Sequence, residues 1–272
     1  MAEEPQRICL IAGRGGLPNT VLAALEKQNR DFKTIAIKGN QEGHDFQADR
    51  TIGLDKWGQF RESFDEWNIN AIVFAGKVDR PNLHKLRPDF TLVRYLPKLG
   101  LSSLGDDGVM QRLLAIFAED FNLKILSIQE ILAQEKRPIG ALGHHEPDHA
   151  ALSDIRRGIE ILQITSAADF GQAVAVAGGV VLGLEAIEGT DNLIERTGQY
   201  RIEAQGGVIV KLPKTQQDHR IDAPTIGLET IHALENSKFS GIAISAKDTI
   251  IVDEKAVIDL ANQFGLFIYV TE

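Results

Sequence analysis

The sequence predicts an α/β protein of two α/β domains joined by a linker, the N-terminal domain Rossmann-like with a mostly parallel sheet. Three observations lead there. Short apolar runs closed by glycine alternate with helical periods over residues 1–135. A stretch rich in Pro, Gly, His and charge, without period, follows at 136–150. Strand-like and helical runs then resume over 151–272. Repeated strand–helix units favour a parallel sheet covered by helices, and an aperiodic polar stretch marks a boundary.

The elements follow in order. "RICLIA" (7–12) is a short apolar run ended by glycine, as a buried strand should be. "LPNTVLAALEKQN" places Leu17, Val21, Leu22 and Leu25 on one helical face. "KTIAIK" (33–38) and "TIGL" (51–54) read as strands, and "KWGQFRESFDEW" (56–67) as a helix with Trp57, Phe60, Phe64 and Trp67 three and four apart. "AIVFAG" (71–76) is a strand, "DDGVMQRLLAIFAEDF" a helix and "LKILSI" a strand. In the second half, "SDIRRGIEILQI" is helical with Ser153 as its cap. "GGVVLGLEAIE" (178–188) reads as one long strand and "GVIVKL" (207–212) as another. "TIGLETIHALEN" and "EKAVIDLANQF" are helical, with "GIAIS", "TIIV" and "LFIYV" (266–270) as strands.

Bulk properties exclude several classes. A net charge of −9 argues against nucleic acid as a partner, because that binding requires basic surface to displace counterions. Cys9 is the single cysteine and sits in an apolar run, which predicts an inert core thiol. The acidic start "MAEEPQR" is unlike a signal peptide, and no apolar run approaches the ~20 residues of a membrane span. The expected location is cytoplasmic, with attachment to a membrane surface allowed.

Five stretches could carry chemistry. "AGRGGLP" (12–18) joins the first strand to the first helix, where Gly13, Gly15 and Gly16 would let a ligand approach the backbone. Pro18 stands where a dinucleotide fingerprint needs its third glycine, and the second strand ends in Lys38 without an acid for a ribose. An NAD(P)-dependent oxidoreductase is therefore disfavoured against a tight turn or another ligand. "FAGKVDRP" repeats the arrangement with Gly76, Lys77, Asp79 and Arg80, on what should be the same sheet edge. "GHHEPDH" (143–149) contains a literal H-E-x-x-H, but Pro147 lies between His145 and His149 and forbids the helix that motif requires. A solvent-exposed linker accounts for it better. "EGTD" ends a strand. Thr190 or Asp191 could cap a helix beginning near Asn192, or face a ligand or metal. "KLPKTQQDHRIDAPTIG" gathers Lys211, Lys214, His219 and Arg220 in an acidic protein, with Asp218 and Asp222 as oxygen ligands for Mg²⁺, before Pro224 and Thr225 at a helix entry. A solvated charge run is the ordinary alternative.

In order and spacing, "IAGRGGLP", "FAGKVDRP", "GDDGVMQRLL", "LEAIEGTD", "KLPKTQQDHRIDAPTIG" and "GLFIYV" together resemble one family nearly end to end. It is the metal-dependent UDP-2,3-diacylglucosamine pyrophosphatases of the lipid A pathway, the type unrelated to the calcineurin-like phosphoesterases. The resemblance implies two α/β domains with the site between them, and an apolar groove for acyl chains. It implies water attack on the α-phosphate of UDP-2,3-diacylglucosamine, giving UMP and lipid X. Asp222 falls at the family's essential aspartate. With Asp191 it would hold Mg²⁺ or Mn²⁺, and Arg220 would act with them. Gly13, Gly15, Gly16, Gly76, Lys77, Thr190, Lys211, Lys214 and Thr225 would contact substrate. Peripheral attachment to the cytoplasmic face of the inner membrane and a homodimer are compatible with it. A nucleotide-sugar binding protein without turnover, or a pyrophosphatase for a water-soluble UDP-sugar, are the alternatives.

Overall fold

A computed structural model describes residues 6–78, 87–99, 106–133, 135–166, 171–200, 206–214 and 223–272, the side chains of 106–110 excepted. The described residues divide into two compact units, up to Ala133 and from 135 onward.

The first unit is built on five parallel strands, β1 (Arg7–Ala12), β2 (Asp31–Ile37), β3 (Arg50–Ile52), β4 (Ala71–Ala75) and β5 (Lys124–Leu126), in the order β3-β2-β1-β4-β5. This is the Rossmann-like arrangement. Its strands are continuous apolar runs because helices cover both faces. The helices are α1 (Leu17–Lys27), α2 (Trp57–Glu66), α3 (Phe90–Leu99), α4 (Asp106–Ala115) and α5 (Ile128–Leu132). The residues expected on the inner face of α2 do pack inward: Trp57, Phe60 and Phe64 are buried, and Trp67 packs at the margin of the same core. α4 passes into a π-turn over Ile116–Asp120, which keeps Ile116 and Phe117 inward. Trp57, Tyr95, Phe117 and Phe121 form a ring cluster with centroids 5.3–6.4 Å apart. Cys9 is buried in β1, and burial pushes its thiol far up, so it stays a protonated core residue. α3 has no counterpart in the sequence reading, because its Pro97 and outward Phe90 and Val93 obscure the period.

Asp49 fastens β2 to the chain entering β3. Its Oδ2 accepts from Thr34 N (2.9 Å) and Thr34 Oγ1 (2.8 Å), and its Oδ1 from Lys33 Nζ (2.8 Å). Burial pushes this carboxyl up, but the hydrogen bonds from Lys33 and Thr34 outweigh it and hold the group below its ordinary range. A depressed folded value means the stabilisation is complete above the unfolded value, about 3.9, and is lost as pH falls through the folded one. Denaturant titrations near neutrality and at about pH 3 should show wild type losing more stability on acidification than Asp49→Asn. Equal losses would show that the group contributes nothing to acid sensitivity.

The second unit holds a six-stranded mixed sheet in the order β6-β13-β11-β9-β7-β8. Its strands are β6 (Gly140–Leu142), β7 (Ala173–Ala177), β8 (Val180–Leu184), β9 (Val208–Lys211), β11 (Gly241–Ser245) and β13 (Phe267–Thr271). β9, β11 and β13 are parallel, whereas β6, β7 and β8 join antiparallel. A separate parallel pair joins β10 (Thr225–Ile226) to β12 (Ile250–Ile251). Side chains alternate across the sheet. Val174, Val176, Val208 and Val210 pack under α6 (His149–Ser166), while Ala173, Ala175, Ile209 and Ile242 face α7 (Thr190–Gly198), α8 (Leu228–Asn236) and α9 (Glu254–Phe264).

Several local expectations are corrected. The long strand over 178–188 is in fact β8 alone, preceded by a Gly178–Gly179 turn and by β7, which the small residues of "AVAVA" concealed. Within the stretch expected to be linker, Gly140–Leu142 pairs with β13 and His149 begins α6. Asp148, not Ser153, caps α6, its Oδ1 accepting from Ala151 N at 2.8 Å. Thr225 lies in β10 and not at a helix entry; α8 starts at Leu228.

Candidate functional site

In the first unit the strand order reverses between β1 and β4, and ligands of open α/β sheets bind beyond the carboxyl ends of strands at such a reversal. The loops carrying Gly13–Gly16 and Gly76–Lys77 leave the sheet there, on one edge as expected. They are stitched to each other. Gly13 N donates to Ala75 O (2.8 Å), Arg14 N to Lys77 O (2.8 Å) and Lys77 N to Arg14 O (3.0 Å). A Cβ on Gly13 would fall inside the contact radius of Lys77 O, and one on Gly76, at φ +90°, would lie 2.7 Å from both Gly13 O and Arg14 O. These two glycines are thus required for the approach of loop to loop. Gly15, at φ +97°, has open space where a Cβ would be. Gly16 is the N-cap of α1 and makes no side-chain cap bond.

A third loop, 39–46, completes this edge and was not singled out from the sequence. Gly15 N donates to Glu42 O (2.8 Å), and Asn19 Nδ2 donates to Gly43 O and Asp45 Oδ2, each at 2.8 Å. His44 Nε2 lies 2.6 Å from Gly13 O, which can only accept, so Nε2 carries the proton. Its ring stacks on Phe46 at 4.9 Å. The signal available was "KGNQEGHD", a glycine-rich polar run after the neighbouring parallel strand.

In the second unit β8 ends, β7 begins and β9 ends on one edge, and the sequence-derived residues collect around it. Lys211 closes β9 on the face it shares with Ile209. It is only 9% exposed, and its Nζ donates to Thr225 O at 2.6 Å. Lys214 follows three residues on, half-buried. Thr225 Oγ1 donates to Ala223 O at 2.9 Å. Gly189, at φ +83°, turns the chain into α7, which begins at Thr190 and has no side-chain cap. The capping reading of Thr190 and Asp191 is therefore overturned: both side chains reach elsewhere. Thr190 Oγ1 donates to Glu185 Oε1 (3.0 Å), and Asp191 Oδ1 accepts from Thr230 Oγ1 of α8 (2.9 Å). Glu185 was missed as a lone acid at a strand end. Its Oε2 accepts from Gln172 N at 2.8 Å, so it links the entry of β7 to the start of α7.

Asp222 and Arg220 lie outside the described residues, as do Asp79, Arg80, Asp218 and His219. A shallow open depression on α7 is lined by Ala186, Glu188, Asn192, Glu195 and Arg196, none of them singled out from the sequence as a site residue. Burial pushes the Glu188 carboxyl up, but backbone hydrogen bonds and the Arg196 guanidinium (2.8–2.9 Å) leave it below the carboxylate range. That is a local ion pair. His145 lies outside α6 while His149 is its first residue. His145 Nε2 donates to Asn262 O (3.1 Å), and His144 N to Asn262 Oδ1 (2.7 Å).

Comparison with known proteins covers the same two halves. The model of the LpxI N-terminal domain matches residues 7–134, and that of the LpxI C-terminal domain matches residues 138–269. The chain belongs to the LpxI family. Among its relatives is the UDP-2,3-diacylglucosamine pyrophosphatase LpxI of Caulobacter vibrioides, 31% identical over 271 residues, covering 97% of this chain and 96% of the relative.

The fit of a divalent cation can be tested at Asp191. Its Oδ1 is oriented by Thr230, which leaves a fixed carboxylate whose second oxygen is a hard ligand of the kind Mg²⁺ accepts. Among the described residues no group of three metal-ligating side chains converges. Asp191 is thus suited to supply one ligand of a set.

Proposed function

We propose that this chain is a UDP-2,3-diacylglucosamine pyrophosphatase that hydrolyses its substrate to UMP and lipid X in the lipid A pathway. The observation that carries it is family membership over both halves, with a relative of that name aligned over 97% of the chain. The buried cation Lys211, and Lys214 beyond it at the same strand end, supply positive charge suited to phosphoryl oxygens. Arg220 would add a two-pronged contact. The open space beside Gly15, with the backbone N–H groups of Gly16 and Leu17 at the start of α1, would offer room and donors to the uridine or sugar portion. Lys77 of the first unit and Thr190 of the second would contact substrate.

Asp191 and Asp222 would hold Mg²⁺ or Mn²⁺, which when bound neutralises charge on the pyrophosphate. Thr230 keeps the Asp191 carboxylate oriented, and Glu185 fixes Thr190 beside it. Attack of water at the α-phosphate places its oxygen in UMP. The acyl chains call for presentation at the cytoplasmic face of the inner membrane, with the protein attached peripherally. No described helix is long and apolar enough to cross a bilayer.

The test is incubation of purified protein with UDP-2,3-diacylglucosamine and Mg²⁺ in heavy-oxygen water. UMP carrying the label is expected, with release stopped by EDTA and restored by Mg²⁺ or Mn²⁺. Absence of turnover would favour a nucleotide-sugar binding protein. Label in lipid X would place attack at the other phosphorus, and undiminished activity after exhaustive chelation would remove the metal.

A further inference from the structure

α3 has two faces, and the outward one is unusual for this protein. Leu92, Tyr95 and Leu99 point inward against Trp57 and Ile116. Phe90, Val93, Arg94, Pro97 and Lys98 are exposed, at the i, i+3, i+4, i+7, i+8 spacing of a single helical stripe. Phe90 is 86% exposed and Val93 48%. Lone exposed apolar residues are commonplace, but an apolar stripe interleaved with cations is not. In a chain of net charge −9, the ten residues of α3 include no acid. The acid just before it, Asp89, is turned inward, accepting from Gly58 N (2.7 Å) and Leu92 N (2.8 Å). Arg87, exposed at the entry, is held by its backbone N–H on Asp55 Oδ2 (3.0 Å). Among the described residues, the acidic groups facing this stripe are Asp120, paired with Lys98 at 2.6 Å, and Glu119 beside it.

We propose that this face of α3 docks the protein on an anionic lipid bilayer. Phe90, Val93 and Pro97 enter the headgroup boundary, while Arg87, Arg94 and Lys98 meet lipid phosphates. The occupant follows from charge complementarity. An acidic protein is repelled by an anionic surface unless it presents a local cationic face, and aromatic and aliphatic side chains between cations suit the boundary of a bilayer. The biological purpose rests on the proposed diacyl substrate; the binding itself does not.

The experiment is flotation of the full chain with vesicles of phosphatidylcholine mixed with phosphatidylglycerol, against vesicles of phosphatidylcholine alone. Wild type should bind the mixed vesicles, and raised salt should weaken this. Phe90→Asp should lower the partition about tenfold or more, and Arg94→Glu at least about fivefold. Ile164→Asp, at another strongly exposed apolar position in the other unit, should bind as wild type. Thermal unfolding of each variant checks that the fold persists. The proposal is overturned if wild type does not float, if Phe90→Asp and Arg94→Glu float as wild type, or if Ile164→Asp is equally impaired. It is also overturned if sedimentation shows a dimer that Phe90→Asp dissociates with no change in vesicle binding. Turnover of detergent-dispersed UDP-2,3-diacylglucosamine separates the two readings: its absence in wild type sinks the function while leaving flotation to judge the docking face.

Discussion

Asp222→Ala is expected to reduce UMP release on the order of a thousandfold, the scale lost when a principal electrostatic contributor to a transition state is removed. A pyrophosphate is strongly anionic, so a carboxylate beside it is repelled unless a cation stands between them or the carboxylate takes a proton. Asp222→Asn keeps the shape and removes the charge, and should fall about as far as alanine. Asp222→Glu keeps the charge, moves it by one methylene and should retain a measurable part of the rate. Turnover assays beside thermal unfolding decide this. Near-normal activity in Asp222→Ala, at unchanged stability, would remove Asp222 from the mechanism and shift weight to Asp191.

Gly76→Ala should destabilise the first unit by about 3 kcal/mol, combining a disfavoured φ with a forced backbone shift. The φ is +90°, and the added Cβ would lie 2.7 Å from two carbonyl oxygens of the opposite loop, neither of which can rotate away. Gly15→Ala is the internal control. Its φ, +97°, is equally unfavourable, but nothing stands within 4 Å of the new Cβ, so the cost should be only about 1–2 kcal/mol. Denaturant unfolding of the two variants isolates the contact from the backbone strain. If Gly76→Ala proves no worse than Gly15→Ala, the stitching of the β1 and β4 loops does not govern that position.

These positions show what could be read in advance. β1, β2 and β4 were legible because strands buried on both faces are continuous apolar runs, and glycines punctuate their carboxyl ends. β7 was not, because alanine and valine in "AVAVA" contrast little with their surroundings. α3 was not, because an outward apolar stripe cancels the contrast that reveals a helix. The glycines at 13 and 76 were recognised as special, but for a ligand; the structure shows each making room for the other's loop.

The sequence by itself determined the class of fold, the alternation of elements and the family to which the chain belongs, since all three reside in local period and in motif order along the chain. Tertiary structure alone decided what the polar residues at the strand ends are bonded to. Thr190 and Asp191 look like helix caps in one dimension. In three, one is held by Glu185 and the other by Thr230, 39 residues further on. Lys211 looks like the start of a solvated charge run, yet it is buried on a carbonyl of β10. Local pattern specifies which face of an element is apolar, but the partner of a polar side chain is set by which distant segments the packed sheet brings to the same edge.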